Sequence, residues 1–119
     1  MKILVIDDDA AVRKFITTIL KRENHTVFDA DNGKNGLLLL QEQKDISVMI
    51  TDLVMPEKEG IETIIDVKKQ YPAIKIIAIS GGGQVGAENY LVLADALGAH
   101  TTLKKPFSGQ ELIRTLDNL

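Results

Sequence analysis

The chain has 119 residues, enough to bury a hydrophobic core without metal or disulfide staples. It contains no cysteine, which rules out a disulfide framework, thiolate metal sites and cysteine redox chemistry. With 14 basic against 17 acidic residues, a net charge of −3 and 4% aromatic residues, it lacks both the basic footprint and the stacking platform of a nucleic-acid binder, so no direct contact with DNA or RNA is expected.

The amino terminus, MKILVIDDDA, carries a short apolar run, Ile3 to Ile6, before three aspartates. That run is far too short for a signal-peptide core or a membrane span, so a soluble, cytoplasmic protein is expected. It reads as a first strand, followed by a helix with Val12, Phe15, Ile16, Ile19 and Leu20 on one face. Thr26 to Ala30 is the second strand and Gly36 to Glu42 the next helix. Within that helix Leu37 to Leu40 cannot all face the core, so at least one is expected at the surface. Strand Ser47 to Thr51, helix Ile61 to Gln70 and strand Ile74 to Ile79 follow. Helix Ala87 to Leu97 would bury Leu91, Ala94 and Leu97 and turn Val92 outward. Strand Thr101 to Lys104 and helix Gly109 to Asn118 complete the series, with His25 and His100 as isolated surface or turn histidines.

Five strands and five helices in strict alternation predict an α/β fold. The strands are nearly continuously apolar (ILVI, VMI), which fits a parallel sheet covered by helices on both faces. Right-handed crossovers leave few topologies, and a doubly wound, flavodoxin-like sheet of order 2-1-3-4-5 in one domain, 1–119, is expected. The functional crevice of such a fold lies beyond the carboxyl ends of the strands.

At those ends stand Asp7-Asp8-Asp9 after the first strand, Asp52 after the third, Ser80 after the fourth and Lys104-Lys105-Pro106 after the fifth; nothing comparable follows the second. Carboxylates gathered at one edge repel one another unless a hard divalent cation neutralises them, and magnesium favours one or two carboxylates with waters and phosphate oxygens. Asp9 precedes a helix and suits an N-cap. The remaining set matches phosphoryl transfer to a carboxylate: Asp52 as nucleophile, with an ammonium and a hydroxyl to bind the incoming oxygens. The glycines of IIAISGGGQVGAENY lack the lysine and hydroxyl of a P-loop. Gly81, Gly83 and Gly86 do meet G-x-G-x-x-G, but a glycine cluster meets that spacing easily, and a flexible turn serves as well.

The segments VIDDD, ITDLVMPEKEG, IIAISG and LKKPF resemble, in order, the four signatures of the response-regulator receiver domain of two-component signalling (CheY-like), and the likeness spans the chain. The D-x-x-M-P-x-x-x-G pattern falls on Asp52, Met55, Pro56 and Gly60. The resemblance implies that Asp52 accepts a phosphoryl group from a sensor histidine kinase or phosphotransfer protein. It implies Mg2+ held by Asp7, Asp8, Asp52 and the Val54 backbone carbonyl. Ser80 and Lys105, rather than Lys104, become the phosphate-binding switch pair, with a cis peptide before Pro106. The partner surface would lie around helix 87–97, strand 101–104 and the last helix, facing a downstream protein not identified by the sequence. Such a domain is a signalling module, not a turnover enzyme. Two departures stand out: Thr102 replaces the usual aromatic near the start of the fifth strand, and the stretch from Ser80 to Lys105 is longer than usual. The surplus is the glycine run, which then reads as a phosphate-adjacent switch loop. The alternative is a haloacid-dehalogenase-type phosphatase using Asp7, Asp9, Ser80 and Lys105; it is disfavoured by Ala11, by the lack of an acidic motif after Lys105, and by leaving Asp52 unexplained. A receiver excised from a longer regulator would differ only in context.

Overall fold

The structure is a computed structural model that describes residues 1–53, 59–81 and 97–119. Its elements run β1 (Lys2–Ile6), α1 (Ala10–Arg22), β2 (Thr26–Ala30), α2 (Gly33–Glu42), β3 (Ile46–Asp52), α3 (Glu59–Gln70), β4 (Lys75–Ser80), β5 (Thr101–Lys104) and α4 (Gly109–Asp117). The five strands form one sheet in the order β2-β1-β3-β4-β5, and every neighbouring pair is parallel. The doubly wound order expected from the sequence is therefore observed. Most of the helix expected over 87–97, with Leu91, Val92 and Ala94, lies outside the described residues.

Alternation of side chains along the strands splits the core into two layers. Leu4 and Ile6 of β1, Met49 of β3, and Ile76 and Ala78 of β4 face one side and pack with Leu40 of α2 and Ile64 and Val67 of α3. Their neighbours Ile3, Val5, Val48, Ile50, Ile77 and Ile79 face the other side, against Ile16 and Leu20 of α1 and Leu112 and Leu116 of α4. Because both faces are covered, consecutive strand residues are apolar, which is why the strands show no polar alternation in the sequence. All the strand carboxyl ends consequently open at one edge, where Asp7, Asp52 and Ser80 lie buried.

The helix boundaries follow their caps. Asp9 accepts from the backbone N–H groups of Ala11 (2.9 Å) and Val12 (3.4 Å) and starts α1, as expected. Ser108 and Glu111 form a reciprocal capping box that starts α4. The helix expected from Gly36 begins instead at Gly33, because Asn32 accepts from Asn35 N at 2.7 Å and caps it a turn earlier. Two glycines and an asparagine in that first turn hide the helical period. Gly36 is buried where α2 crosses β1, and a Cβ there would lie 3.0 Å from Ile6 Cγ1. Of the four leucines, Leu40 is buried and Leu38 is exposed, while Leu37 and Leu39 pack at the core margin. Phe15, assigned to the core face of α1, is instead 44% exposed and meets the ring of Phe107 at 6.1 Å.

His100 does more than occupy a turn. Its backbone N–H donates to Ile76 O at 2.8 Å, and its Nδ1 accepts from Ile76 N at 3.0 Å. The ring thereby supplies the acceptor that a further β5 residue would have supplied, and the neutral tautomer carries its proton on Nε2. Burial, with the charges of Lys68 and Lys75, holds the imidazole below its ordinary value. A proton at Nδ1 would oppose the Ile76 N–H.

As pH falls through the ordinary histidine value of 6.5, the unfolded chain should take up this proton first, so stability should drop until the folded ring itself titrates at lower pH. Urea unfolding midpoints between neutral and mildly acidic pH should show this fall. His100→Asn, which keeps an acceptor without titrating, should flatten it.

Candidate functional site

β1 delivers Asp7 to the sheet edge and fixes it on four sides. Its N–H donates to Ala30 O at 3.2 Å and its carbonyl accepts from Arg13 Nη1 at 2.8 Å. Its Oδ1 accepts from Asp9 N at 2.8 Å and its Oδ2 meets Lys105 Nζ at 3.1 Å. The same Lys105 Nζ lies 3.1 Å from Asp52 Oδ2, at the end of β3. Asp7 and Asp52 are only 0% and 3% exposed, so this ammonium is charge compensation for two carboxylates taken out of water. Asp8, on the solvent side, completes a cluster in which Asp7, Asp8 and Asp52 each offer an oxygen within 4.8 Å of the others.

The electrostatics follow from these contacts. Burial raises the Asp7 carboxyl above its ordinary value, aided by the Asp52 charge and opposed by the Asp9 N–H and by Lys105. Burial also works against the Lys105 charge, but Asp52 and Asp7 outweigh it and hold the ammonium above the usual lysine value. One cation between two buried anions leaves net negative charge beside exposed Asp8. Three hard carboxylate donors at this spacing fit a hard divalent ion completed by water and substrate oxygens, whereas thiolate- or imidazole-preferring metals would find no ligand of their kind in the cluster.

The remaining expected residues are placed as follows. Ser80 is the buried last residue of β4, and its carbonyl accepts from Lys105 N at 2.8 Å, which ties the β5 exit to the β4 end. Lys104 is exposed, so it is Lys105 that enters the site, and the peptide before exposed Pro106 is cis. Thr102 is half-buried in β5 beside Ala78. Val54, Met55 and Pro56 lie outside the described residues, as do Gly82, Gly83 and Gly86. At Gly81 a Cβ would meet nothing within 4 Å.

Two residues gain roles that the sequence did not suggest. Arg13, one turn into α1, donates through Nε to Asp29 Oδ2 at 2.9 Å while holding the Asp7 carbonyl, so β2 does contribute to the site's frame. Gly60 is buried against the end of β3: a Cβ there would overlap the Asp52 carbonyl oxygen and lie 2.8 Å from Leu53 Cα. The final glycine of the D-x-x-M-P-x-x-x-G pattern is thus where α3 approaches the backbone of Asp52 itself.

The sequence pattern described as the response regulator receiver domain matches residues 3–117. A probable transcriptional regulatory protein of Picosynechococcus is 34% identical over 118 residues, covering 94% of this chain and 46% of that protein. The response regulator SaeR of Staphylococcus aureus is 32% identical over 117 residues, covering 98% of this chain and 49% of its own. The chain thus spans about half the length of these curated relatives. Among solved structures, a response regulator receiver domain protein from Clostridium thermocellum superposes with a TM-score of 0.87 at 33% identity, over 98% of this chain and 91% of that one.

Gly60→Ala should push α3 away from the end of β3 and destabilise the fold by about 2 kcal/mol, the scale of an overpacked core position. Urea unfolding would read the loss as a lower midpoint with an unchanged slope.

Proposed function

Since the chain belongs to the response regulator receiver domain family, we propose that Asp52 is its phosphoacceptor and that 1–119 acts as one phosphorylation-controlled signalling domain. The observation that carries this reading is the Lys105 bridge: one half-buried ammonium 3.1 Å from each of Asp52 Oδ2 and Asp7 Oδ2, at the carboxyl end of the sheet. Asp52, as a carboxylate, is itself the nucleophile and needs no general base. Its oxygen forms the new bond to phosphorus as the bond from phosphorus to the donor breaks, and the electron pair leaves with the donor's imidazole nitrogen. Lys105 then neutralises a phosphoryl oxygen, and the Ser80 hydroxyl, at the end of the neighbouring strand, donates to another. Asp7, Asp8 and Asp52, with the Val54 carbonyl, would hold Mg2+, which when bound offsets the negative charge of carboxylate and phosphoryl oxygens meeting.

The donor would be a sensor histidine kinase or phosphotransfer protein and the recipient of the signal a downstream protein, in the cytoplasm. Among the described residues no helix is long and apolar enough to cross a membrane. The chain takes up one phosphoryl group rather than turning over an external substrate. The phosphatase alternative is not supported. It needs Asp9 as a working acid, whereas Asp9 is committed to capping α1 and to holding Asp7, and the family match leads elsewhere.

Incubation with magnesium and a small acyl-phosphate donor should add the mass of one phosphate to the chain. Asp52→Asn should abolish the gain; full labelling of that variant, mapped to Asp7 or Asp9, would refute the assignment.

Magnesium should stabilise the fold, because the carboxylates are brought together only when the chain is folded. The gain at a hundred times the dissociation constant is about 2.7 kcal/mol. Thermal melts in magnesium and in chelator should differ, and Asp8→Ala should shrink that difference.

A further inference from the structure

The end of the sheet opposite Asp52 carries a second charged site of contrary sign. Lys75 opens β4 while Ser80 closes it, so the two ends are roughly 15–20 Å apart at strand spacing. Between the starts of β4 and β5 and the last turn of α4 lies a pocket of about 370 Å3, lined by Lys75, His100, Thr101, Arg114, Thr115, Asn118 and the last residue, Leu119. That volume falls within the range of small-molecule sites. No aspartate or glutamate side chain lines it, so the α-carboxylate of Leu119 is the one anionic group among its lining residues, against the cations of Lys75 and Arg114.

We propose that this pocket binds a phosphoryl dianion, as inorganic phosphate or as the phosphate of a small organic monoester, through Lys75, Arg114 and the Nε2–H of His100.

Three observations converge on that ligand class. First, Lys75 and Arg114 are exposed and, like the nearby Lys68, form no ion pair among the described residues, so their charge is not spent within the fold. Arginine supplies a planar fork that matches phosphate oxygens in pairs, and lysine adds a point charge. Second, the tautomer of His100 is set by structure: Nδ1 accepts from Ile76 N at 3.0 Å, so the neutral ring has Nε2–H as its remaining donor. Third, the field at the ring is positive, since the charges of Lys68 and Lys75 add to burial in disfavouring its protonation. Asn118 and the Thr101 hydroxyl add neutral donors, whereas the Thr115 hydroxyl already donates to Glu111 O at 2.7 Å. The pocket is roomier than one phosphate requires, which leaves space for an attached organic group. This inference stands independently of the role of Asp52.

Nuclear magnetic resonance of the full chain in chelator tests it, with inorganic phosphate, adenosine monophosphate, succinate, and sodium chloride at matched ionic strength titrated in turn. Phosphate should produce saturating shifts at the His100 ring and at the Thr101 and Asn118 amides while the Asp8 amide stays still. The Lys75→Ala/Arg114→Ala double variant should bind at least about tenfold more weakly, the loss of one charge-assisted hydrogen bond or more. Both side chains are exposed, so the variant should melt like the parent. Tighter binding of the nucleotide would support an organic monoester as ligand, and binding of phosphate alone would support the free ion. Shifts that are linear and shared with chloride, equal saturation by succinate, or undiminished binding in the double variant would each overturn the proposal.

Discussion

The Lys105 ammonium lies 3.1 Å from an oxygen of Asp7 and 3.1 Å from one of Asp52, joining residues 98 and 53 positions away in the chain. Without it, two buried carboxylates would face each other and a third, Asp8, across less than 5 Å, with little water to screen them. A buried ion pair is seldom a net source of stability, because desolvation offsets most of the attraction. What it supplies here is position: both anions and the cation are held at one strand edge, with net negative charge left beside Asp8. The same bridge ties β5 to β1 and β3, so the chemistry and the closure of the sheet's carboxyl edge depend on one side chain.

The surrounding structure removes freedom from that arrangement. Asp9 caps α1 with its side chain and donates its N–H to Asp7, so the start of a helix and the rotamer of a site residue are set together. Arg13 spans from the Asp7 carbonyl to Asp29 and locks β1 to β2 at the same level. Gly60 lets α3 rest directly on the backbone of Asp52. Each hydrogen bond is worth only about 1 kcal/mol, yet together these contacts fix where the Asp7 and Asp52 carboxylates stand. At the other end of the sheet the balance is reversed: His100 spends one nitrogen on strand pairing and, with Lys75 and Arg114, creates a cationic pocket from residues that no site motif includes.

Much of this is legible in the sequence. Apolar runs of strand length set the sheet order, and the Asp, Ser and Lys residues that end them meet at one edge, because strand ends in a doubly wound fold converge there. Of the two lysines that end the fifth strand, it is Lys105 whose ammonium reaches Asp7 and Asp52. Less legible were features that depend on three-dimensional approach. Nothing marks Arg13 among the other basic residues of α1, and its partner Asp29 sits in a strand whose end looked empty. Phe15 has the spacing of a core residue but lies at the margin of α1, 44% exposed and packed on the ring of Phe107. The start of α2 was obscured because two glycines and two asparagines surround its first turn, and the cap at Asn32 decides the boundary. His100 read as a turn residue because a ring nitrogen replacing a backbone acceptor leaves no trace in sequence pattern.

The most direct test of the bridge is a double-mutant cycle between Lys105→Met and Asp7→Asn, read by urea unfolding in chelator. If Lys105 and Asp7 interact in the folded chain, the two changes should be non-additive, with a coupling of about 1–3 kcal/mol and the double variant less damaged than the sum of the singles. Additivity within about 0.5 kcal/mol would mean that the ammonium and the carboxylate do not act on each other, and the site would have to be held together by something else.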